Sequence, residues 1–449
     1  MFSEEERTSF EPISNFAIEN QQHKYLISLI SLRYVVLKQH YFTNFVVLKQ
    51  HFMEPLLAFQ DVLLGSVENR FSRESVAKIR WNDKMIGIRG PRGAGKTTLI
   101  LQRLKFGLGD QREKGLYVTA DHTWFYTHSL LDTAMDWWKQ GGRVLFIDEV
   151  HKYPHWSREL KNIYDGLPGM KVIFSASSAL DIYRGEADLS RRVVSYSLPG
   201  LSFREYLQFT ERGTFPAMSL DDIRAHHREV SRSVLEKVQP LPDFRHYLRQ
   251  GYLPIFTEGE ESYLPRLEQV INTTLEADLA TLASYNAGTA ARVKKLLGVI
   301  AESAPFKPNI SALADKMGLH RDKIYEFIYQ LEDARLLNLL SAEGKGVSRL
   351  QKPEKIYLEN TNLAYAMQAS PDMGNLRETF LMGQLVNAGL SVTAPTQGDF
   401  KVGDLFIEVG GKSKNAGQVK GEASYLVAAD DIEMGVGSKV PLWMFGFLY

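Results

Sequence analysis

The stretch at residues 90–98, GPRGAGKTT, lies between the strand-like segment KMIGIRG and the helix-like segment KTTLILQRLKFGL. It fits the pattern G-x-x-x-x-G-K-[ST], in which glycines let backbone N–H groups curl round phosphates at the start of a helix. The pattern predicts a phosphate-binding loop between a buried strand and a helix. The residues expected to hold a nucleotide are Gly90, Pro91, Arg92, Gly93, Ala94, Gly95, Lys96, Thr97 and Thr98.

Charged and hydroxyl groups in and after this loop predict the chemistry. Lys96 would bridge the β- and γ-phosphates of ATP, and the Thr97 hydroxyl would hold Mg²⁺. The segment RVLFIDEV, residues 143–150, places two carboxylates at the end of an apolar strand, where open α/β sheets bind ligands. Asp148 would complete the Mg²⁺ shell and Glu149 would polarise the attacking water. The acid pair indicates hydrolysis, because a protein that only senses a nucleotide would not need Glu149.

Two further positions are candidates for contact with the γ-phosphate. The segment KVIFSASS ends in hydroxyl groups, so Ser175 or Ser177 would report on that phosphate, or the segment is an ordinary serine-rich loop. In DLSRRVV, Arg191 or Arg192 would supply charge to the phosphate of a neighbouring subunit, or would form a surface salt bridge. The predicted catalytic residues are Glu149, Lys96, Ser175 and Arg192.

The order of apolar and polar segments predicts an α/β fold class. From residue 84 to about residue 178, short apolar strands alternate with helical stretches, which is typical of a parallel sheet with helices on both faces. After Pro199 helices dominate to about Leu340, and NISALADKMGLHRDKIYEFIYQLEDARLL has the spacing of a helix-turn-helix with its turn at Gly318. Beyond Pro353 the strand-like segments KIYLEN, DLFIEVG and SYLVAAD predict a small C-terminal α/β domain.

Composition excludes several classes of function. The 449 residues carry 53 Lys plus Arg and 53 Asp plus Glu, so no global field draws the chain to nucleic acid or lipid. The chain has 0 cysteines, which excludes disulfides and thiolate chemistry and favours a cytoplasmic protein. His151 and His155 have the spacing of a helical zinc pair, but Pro154 lies between them and no Glu follows His151, so a metal site there is disfavoured.

The N-terminal segment contains a duplication. VVLKQH occurs at residues 35–40 and again at residues 46–51. One interpretation is an amphipathic helix with an 11-residue period. The interpretation that we favour is a leader translated from repeated upstream DNA, with the working protein beginning at Met53. Neither the leader nor any other segment has the roughly 20 apolar residues that a membrane span needs.

The motifs taken together resemble a prokaryotic family. GPRGAGKTT, LFIDEVHKYPHWSRELKNIYD, IFSASSALDIYRGEADLSRRVVSYSLPGLSFREYL and the C-terminal EVGGKSK, SYLVAADDIE and PLWMFGFLY are similar to AAA-type P-loop ATPases. These ATPases have an AAA_14-like core, a helix-turn-helix and a C-terminal domain of DUF4143 type, and they are related to archaeal-type and STAND-like ATPases. The resemblance extends from about Met53 to Tyr449.

The resemblance also implies a restriction-endonuclease-like fold for the C-terminal domain. In that fold an Asp on one strand and Glu-x-Lys on the next surround a metal, and Asp399 and Glu408 fall on the matching positions. Gly410 stands where the lysine is expected, and the next lysine, Lys412, is displaced by about 7 Å along a strand unless the chain bulges. We therefore expect that this domain has lost nuclease activity.

The helix-turn-helix allows two interpretations. His320, Arg321 and Lys323 lie near the start of its second helix, but four acidic residues dilute them, namely Asp322, Glu326, Glu332 and Asp333. Helices that read DNA usually have a clearer basic face. The module therefore either binds DNA or serves as a lid or protein contact.

The sequence thus predicts four segments: an extension at 1–52, an ATPase domain at 53–205, a helical or winged-helix region at 206–345 and the nuclease-like domain at 346–449. The leading hypothesis is a cytoplasmic ATPase switch that binds ATP and Mg²⁺ and repositions its two C-terminal parts. The alternatives are an ATP-licensed DNA nuclease and an ATP-binding scaffold with little hydrolysis. DNA, an unidentified protein and further copies of the chain are the candidate partners.

Overall fold

The computed structural model describes residues 53–176, 189–279, 286–342, 352–417, 419–422 and 424–449. Residues 53–66 are helical, and the chain divides into two compact units at Asp61 and Val62. All elements named below belong to the unit from Val62 onward. The VVLKQH repeat and the interpretation of residues 1–52 as a leader fall outside the described residues. No helix among the described residues is long and apolar enough to cross a bilayer.

The first sheet has five parallel strands in the order β2-β3-β4-β1-β5. The strands are β1 (Met85–Arg89), β2 (Gly115–Thr119), β3 (Val144–Asp148), β4 (Lys171–Ala176) and β5 (Val194–Ser197). Strand β3 is buried along its whole length, as its apolar sequence requires between two neighbours. The predicted parallel sheet is confirmed. Strand β5 was not predicted, because it is a short edge strand with partly exposed residues.

Four helices accompany this sheet. They are α1 (Ser75–Lys78), α2 (Lys96–Phe106), α3 (Leu130–Lys139) and α4 (Trp156–Gly166). Helix α2 follows the glycine-rich loop directly, and its buried apolar residues are Leu99, Ile100, Leu101 and Leu104. Helix α3 begins after Ser129, whose hydroxyl accepts a hydrogen bond from the N–H of Asp132.

Helices make up the next part of the chain. They are α5 (Phe203–Phe209), α6 (Leu220–Leu235), α7 (Pro240–Gln250), α8 (Tyr263–Thr273), α9 (Ala287–Ala301), α10 (Ile310–Met317) and α11 (Arg321–Asp333). A 3₁₀ turn at Pro254–Glu258 and a π-helical turn at Thr274–Leu279 flank α8. Helices α10 and α11 occupy the segment of the predicted helix-turn-helix, and Gly318 between them has a left-handed backbone with φ of 63°.

The second sheet has seven strands in the order β12-β11-β10-β9-β8-β6-β7. They are β6 (Leu337–Ala342), β7 (Lys355–Leu358), β8 (Val392–Ala394), β9 (Phe400–Val402), β10 (Leu405–Gly410), β11 (Tyr425–Ala429) and β12 (Lys439–Pro441). Two helices precede β8, namely α12 (Thr361–Met367) and α13 (Met373–Asn387). Strands β8, β9 and β10 form an antiparallel meander, and β11 and β12 continue parallel to β10.

The helical part and the second sheet share one hydrophobic core. Phe203 and Tyr247 from the helical part and Phe380 and Trp443 from the C-terminal part lie in the same buried cluster. Helix α5 runs across the predicted boundary at 205/206, and the boundary at 345/346 lies outside the described residues. Strand β6, which precedes this boundary, pairs antiparallel with β7 and parallel with β8, which both follow it. The domain limits stay predictions, and the packing is continuous between the parts on either side of 205/206 and of 345/346.

Candidate functional site

The glycine-rich loop between β1 and α2 has a tightly turned backbone. Gly93 and Gly95 have φ of 79° and 91°, a region that residues with a Cβ rarely adopt. The Lys96 side chain, only 6% exposed, donates hydrogen bonds of 2.9 Å to the carbonyl oxygens of Gly90 and Pro91. Its ammonium therefore lies over the mouth of the loop, where it would meet a bound phosphate.

The strand order brings the end of β3 close to this loop. Strand β4 lies between β1 and β3, so the carboxyl ends of all three strands meet at one edge of the sheet. Asp148, the last residue of β3, is 3% exposed and accepts hydrogen bonds from the hydroxyls of Thr97 at 2.5 Å, Tyr117 at 3.0 Å and Ser175. Burial and the Asp148 carboxylate raise the pKa of the Tyr117 phenol, which keeps this donor protonated. Thr97 and Asp148 thus present hard oxygen atoms side by side.

Glu149 adopts a backbone conformation that few side chains accept. Its φ is 53°, and its N–H donates to Ser175 Oγ at 3.0 Å and to Asp148 Oδ1 at 3.2 Å. The carboxylate lies 3.7 Å from Arg92 Nη2 and 3.9 Å from His151 Nε2. Burial raises the pKa of Glu149, and the charges of Arg92 and Lys96 oppose this rise.

Ser175 lies at the centre of the acid pair. Its side chain is completely buried at the end of β4, where its hydroxyl donates to Asp148 and accepts from the Glu149 N–H. The structure thus brings this predicted residue to the candidate site, where its contacts are to the acids. Ser177, the alternative, lies outside the described residues.

Arg192 lies away from the loop of its own chain. Its guanidinium forms two hydrogen bonds of 2.9 and 3.0 Å with the Asp165 carboxylate at the end of α4. It precedes β5, whose first residue pairs with Ile86 near the start of β1, so Arg192 lies at the amino edge of the sheet. The glycine-rich loop lies at the opposite edge. Arg191 is exposed at the same end of β5, and Thr98 is exposed on the first turn of α2.

Arg73 is a residue that the sequence analysis missed. It is 8% exposed, and its Nη1 donates to the carbonyl oxygen of Ala94 in the glycine-rich loop at 3.1 Å. Nη2 donates to the carbonyls of Pro199 and Gly200 at 2.8 Å, and Nε donates to Glu205 at 3.0 Å. No local pattern in NRFSRESV marks this arginine, because its partners lie in two distant segments, the glycine-rich loop and residues 199–205.

The segment before α8 also reaches the loop. A Cβ added to Gly93 would lie 3.1 Å from Ile255 Cγ2, and a Cβ added to Gly95 would lie 3.8 Å from Pro254 Cγ. This 3₁₀ turn therefore covers the outside of the loop. Nothing in its sequence predicted that position.

The acidic residues of the C-terminal sheet are paired with lysines. Glu408 forms an ion pair with Lys414, whereas the carbonyl of Lys412 accepts a hydrogen bond from Lys439. Lys355 lies 3.7 Å from Asp399 and 3.0 Å from Glu378. Within the described ranges, no group of three or more His, Cys, Asp or Glu residues is arranged to hold a metal ion. The lysine that accompanies Glu408 is thus Lys414, which lies beyond both Gly410, where the resemblance implies a lysine, and the displaced Lys412.

The basic residues of helix α11 also have partners. Lys323 forms an ion pair of 2.8 Å with Glu326, and Arg321 donates to the Ser311 hydroxyl. His320 precedes the helix as its N-cap residue. DNA binding by this helix stays a prediction.

Comparison with known families assigns two parts of the chain. Residues 82–207 match an AAA domain family, AAA_14, and residues 241–373 match a domain of unknown function, DUF8612. The first match covers the glycine-rich loop, Asp148 and Glu149, and supports an AAA-type P-loop ATPase. DUF8612 is a different domain from the DUF4143 type that the resemblance implies, and the relation to STAND-like ATPases stays a prediction.

Several solved structures align with the chain at low identity. The Walker-type ATPase PABY2304 of Pyrococcus abyssi is 13% identical, covers 66% of this chain and 95% of its own, and has a TM-score of 0.40. The Hsp104–ADP complex of S. cerevisiae is 17% identical over 61% of this chain and 40% of its own, with a TM-score of 0.27. AMPPCP-bound DnaA from Aquifex aeolicus is 12% identical over 58% of this chain and 85% of its own, with a TM-score of 0.21. No curated protein matches the chain.

Proposed function

We propose that the chain is a Mg²⁺-dependent ATPase and that its nucleotide state repositions the helical and C-terminal parts. The observation that carries the proposal is the 2.5 Å hydrogen bond between Thr97 Oγ1 and Asp148 Oδ2, which joins the glycine-rich loop to the acidic end of β3. Glu149 follows Asp148 directly, at a position where a water near the terminal phosphate would be within reach of its carboxylate.

The donor set fits a nucleotide with its magnesium ion. Thr97 and Asp148 would hold Mg²⁺, which prefers oxygen ligands and supplies charge neutralisation to the phosphates. The loop N–H groups and Lys96 would hold the phosphates, and Arg92 would add a second cation. Glu149 would accept a proton from the attacking water, and Ser175 would orient Glu149 through its backbone N–H.

A chain of hydrogen bonds supports coupling to the C-terminal part. Arg73 binds both the loop carbonyl of Ala94 and the carbonyl of Gly200, which also accepts a hydrogen bond of 3.4 Å from the Tyr449 hydroxyl. Asn387 on α13 in turn donates to Tyr449 Oη at 3.3 Å. A shift of the loop on nucleotide binding would therefore reach Tyr449 and Asn387 of the C-terminal part through these hydrogen bonds.

Two substitutions test the ATPase. Lys96→Ala is expected to abolish ATP binding, measured by calorimetry, because the phosphates lose their buried cation. Glu149→Gln is expected to bind ATP with parental affinity and to lower phosphate release by about 10²–10⁴-fold, the usual contribution of a general base. Lys161→Ala and Glu113→Gln, at exposed positions of the same domain, serve as matched controls.

The outcomes separate the alternatives. Parental turnover in Glu149→Gln would overturn the assignment of the base, and ATP binding without turnover in the parental protein would favour the scaffold. The same assays with DNA test whether DNA is a partner. Metal-dependent DNA cleavage that is lost in Asp399→Ala or Glu408→Ala would support the nuclease alternative, and no cleavage with any divalent ion would overturn it.

A further inference from the structure

A second cavity lies at the edge of the first sheet opposite to the glycine-rich loop. Its volume is about 380 Å³, at the lower end of the range for small-molecule sites. Trp81 and Asn82 in the segment before β1, the end of α2, and the starts of β3 and β4 all contribute to its wall. Its polar and aromatic lining consists of Trp81, Asn82, Arg103, Gln111, Arg143 and Lys171.

The charge in this cavity is entirely positive. Arg103, Arg143 and Lys171 line it, and no Asp or Glu does so. Among the residues that the structure describes, none of these three cations has a carboxylate within salt-bridge distance, whereas Arg192 nearby is paired with Asp165. Burial lowers the pKa of the Arg103 guanidinium, as expected for a cation that no anion compensates.

Most hydrogen-bond donors of the three cations remain available. Arg143 uses Nη1 for the carbonyls of Trp138 and Gly142, at 3.3 and 2.6 Å. The Arg103 guanidinium lies 4.7 Å from the centre of the Trp81 ring, and within the described ranges Lys171 makes only a long contact of 3.4 Å with Asn82. Because each arginine carries five N–H donors and each lysine three, several donors can turn towards a ligand.

The ends of two helices explain the positions of two of these cations but not the position of the third. Arg103 lies in the last turn of α2 and Arg143 binds carbonyls at the end of α3, where cations are favourable. Lys171 begins a strand, and no helix end accounts for it. Three cations converging from a helix and two strand starts suit a multivalent anion better than they suit helix capping alone.

We propose that this cavity is a second ligand site, distinct from the glycine-rich loop, which binds the phosphate group of a small phosphorylated molecule. Arg103, Arg143 and Lys171 bind the phosphate oxygens, while Asn82 and Gln111 offer amide groups to the rest of the ligand. The volume of about 380 Å³ is sufficient for a small phosphorylated molecule. The proposal does not depend on ATP hydrolysis at the other edge of the sheet.

Calorimetric titration of the full chain with inorganic pyrophosphate or with AMP tests this site. In a Lys96→Ala background, which removes the loop cation, we expect one remaining site. Arg103→Gln combined with Lys171→Gln is expected to weaken it at least tenfold, and Lys139→Gln with Lys161→Gln, two exposed lysines of the same domain, is expected to leave it unchanged. With Lys96 unchanged, we expect pyrophosphate to occupy two sites in the parental chain and one site in the Arg103→Gln/Lys171→Gln variant. The test therefore remains possible even if the Lys96→Ala protein misfolds.

The probes also distinguish the source of the phosphate. Tighter binding of AMP than of pyrophosphate points to a nucleoside phosphate, and the reverse order points to a phosphate or pyrophosphate ion, with either result supporting the site. Equal affinity of the double variant and its parent would overturn the proposal. The proposal would also be overturned if a single-stranded 12-nucleotide DNA bound more tightly than both probes and this binding were lost in the double variant. The cavity would then belong to a nucleic-acid surface.

Discussion

Glu149 combines a left-handed backbone with a partly buried carboxyl group. Non-glycine residues uncommonly adopt its φ of 53°, and conformations of this kind cost of order 1–3 kcal/mol. The hydrogen bonds of its N–H to Ser175 and Asp148 hold the backbone in place. Strain and a raised pKa at one residue are typical of a functional site rather than of a stabilising one.

Glu149→Gln is expected to raise the free energy of unfolding at pH 8 relative to the parental protein. Because burial raises the pKa of Glu149, the folded chain retains a proton between the ordinary and the raised pKa that the unfolded chain has released. The free energy of unfolding therefore falls as pH rises through this window, and glutamine removes that dependence. Urea unfolding of both proteins between pH 4 and pH 8 measures the difference, which should shrink towards pH 4.

One result of the urea unfolding experiment would contradict this prediction. If Glu149→Gln is less stable than its parent at every pH, the attraction of the carboxylate to the charges of Arg92 and Lys96 outweighs its burial. The acid limb of the kcat/KM profile provides a second readout. It is expected above the ordinary pKa of glutamate, since the base must be deprotonated to act.

At the scale of elements, Arg73 joins its own segment to two others that are far from it in the chain. One guanidinium binds the glycine-rich loop at Ala94, the segment after β5 at Pro199 and Gly200, and α5 at Glu205. Glu205 also forms a capping box with Ser202 at the start of α5. The position of the loop thus depends on a planar donor group whose acceptors lie in several directions.

Arg73→Met is expected to lower the free energy of unfolding by about 3–5 kcal/mol, the usual cost of removing one partner from a buried ion pair. It should also weaken ATP binding, because the Ala94 carbonyl loses its donor. Arg73→Met combined with Glu205→Leu is expected to recover part of the lost stability, since the unpaired buried carboxylate is removed although the capping box is lost, and not to recover affinity. Chemical denaturation and calorimetric titration measure the two quantities.

Arg73→Lys is the matched control for this experiment. Lysine keeps the charge but cannot serve acceptors in several directions from one nitrogen, so it should rank between the parent and methionine in ATP affinity. Full recovery of affinity in the Met/Leu double variant would show that Arg73 only stabilises the fold and does not position the loop.

At the scale of the whole molecule, the second sheet crosses a predicted domain boundary. Strand β6 belongs by sequence to the helical region, yet it pairs with β7 and β8 of the C-terminal part. The apolar cluster continues from Phe203 to Trp443. The C-terminal part therefore does not have a core of its own, in contrast to an independent domain.

A chain divided between residues 345 and 346 is expected to give two fragments that do not fold separately. The cut separates β6 from the rest of its sheet and exposes the shared core of both fragments. Circular dichroism and hydrogen exchange of each fragment are expected to show loss of structure, and coexpression is expected to restore a folded complex. Two fragments with cooperative unfolding transitions of their own would instead support the predicted boundary.

The sequence by itself determined the phosphate loop, the acidic strand end and the parallel sheet around them. These features depend on local order: glycines at a turn, an apolar run buried between neighbours, and polar groups at its end. Lys96, Thr97, Asp148, Glu149 and Ser175 could be named for this reason, since the carboxyl ends of adjacent parallel strands must meet at one edge.

Only the tertiary structure decided what surrounds that site. Arg73 reaches the loop, Lys414 rather than Lys412 pairs with Glu408, and Arg192 lies at the far edge of the sheet, because each contact joins segments with no fixed spacing along the chain. The cationic cavity has the same origin, as three residues from separate elements converge there. Local sequence patterns specify elements and their ends, whereas packing specifies which side chains from distant elements come together.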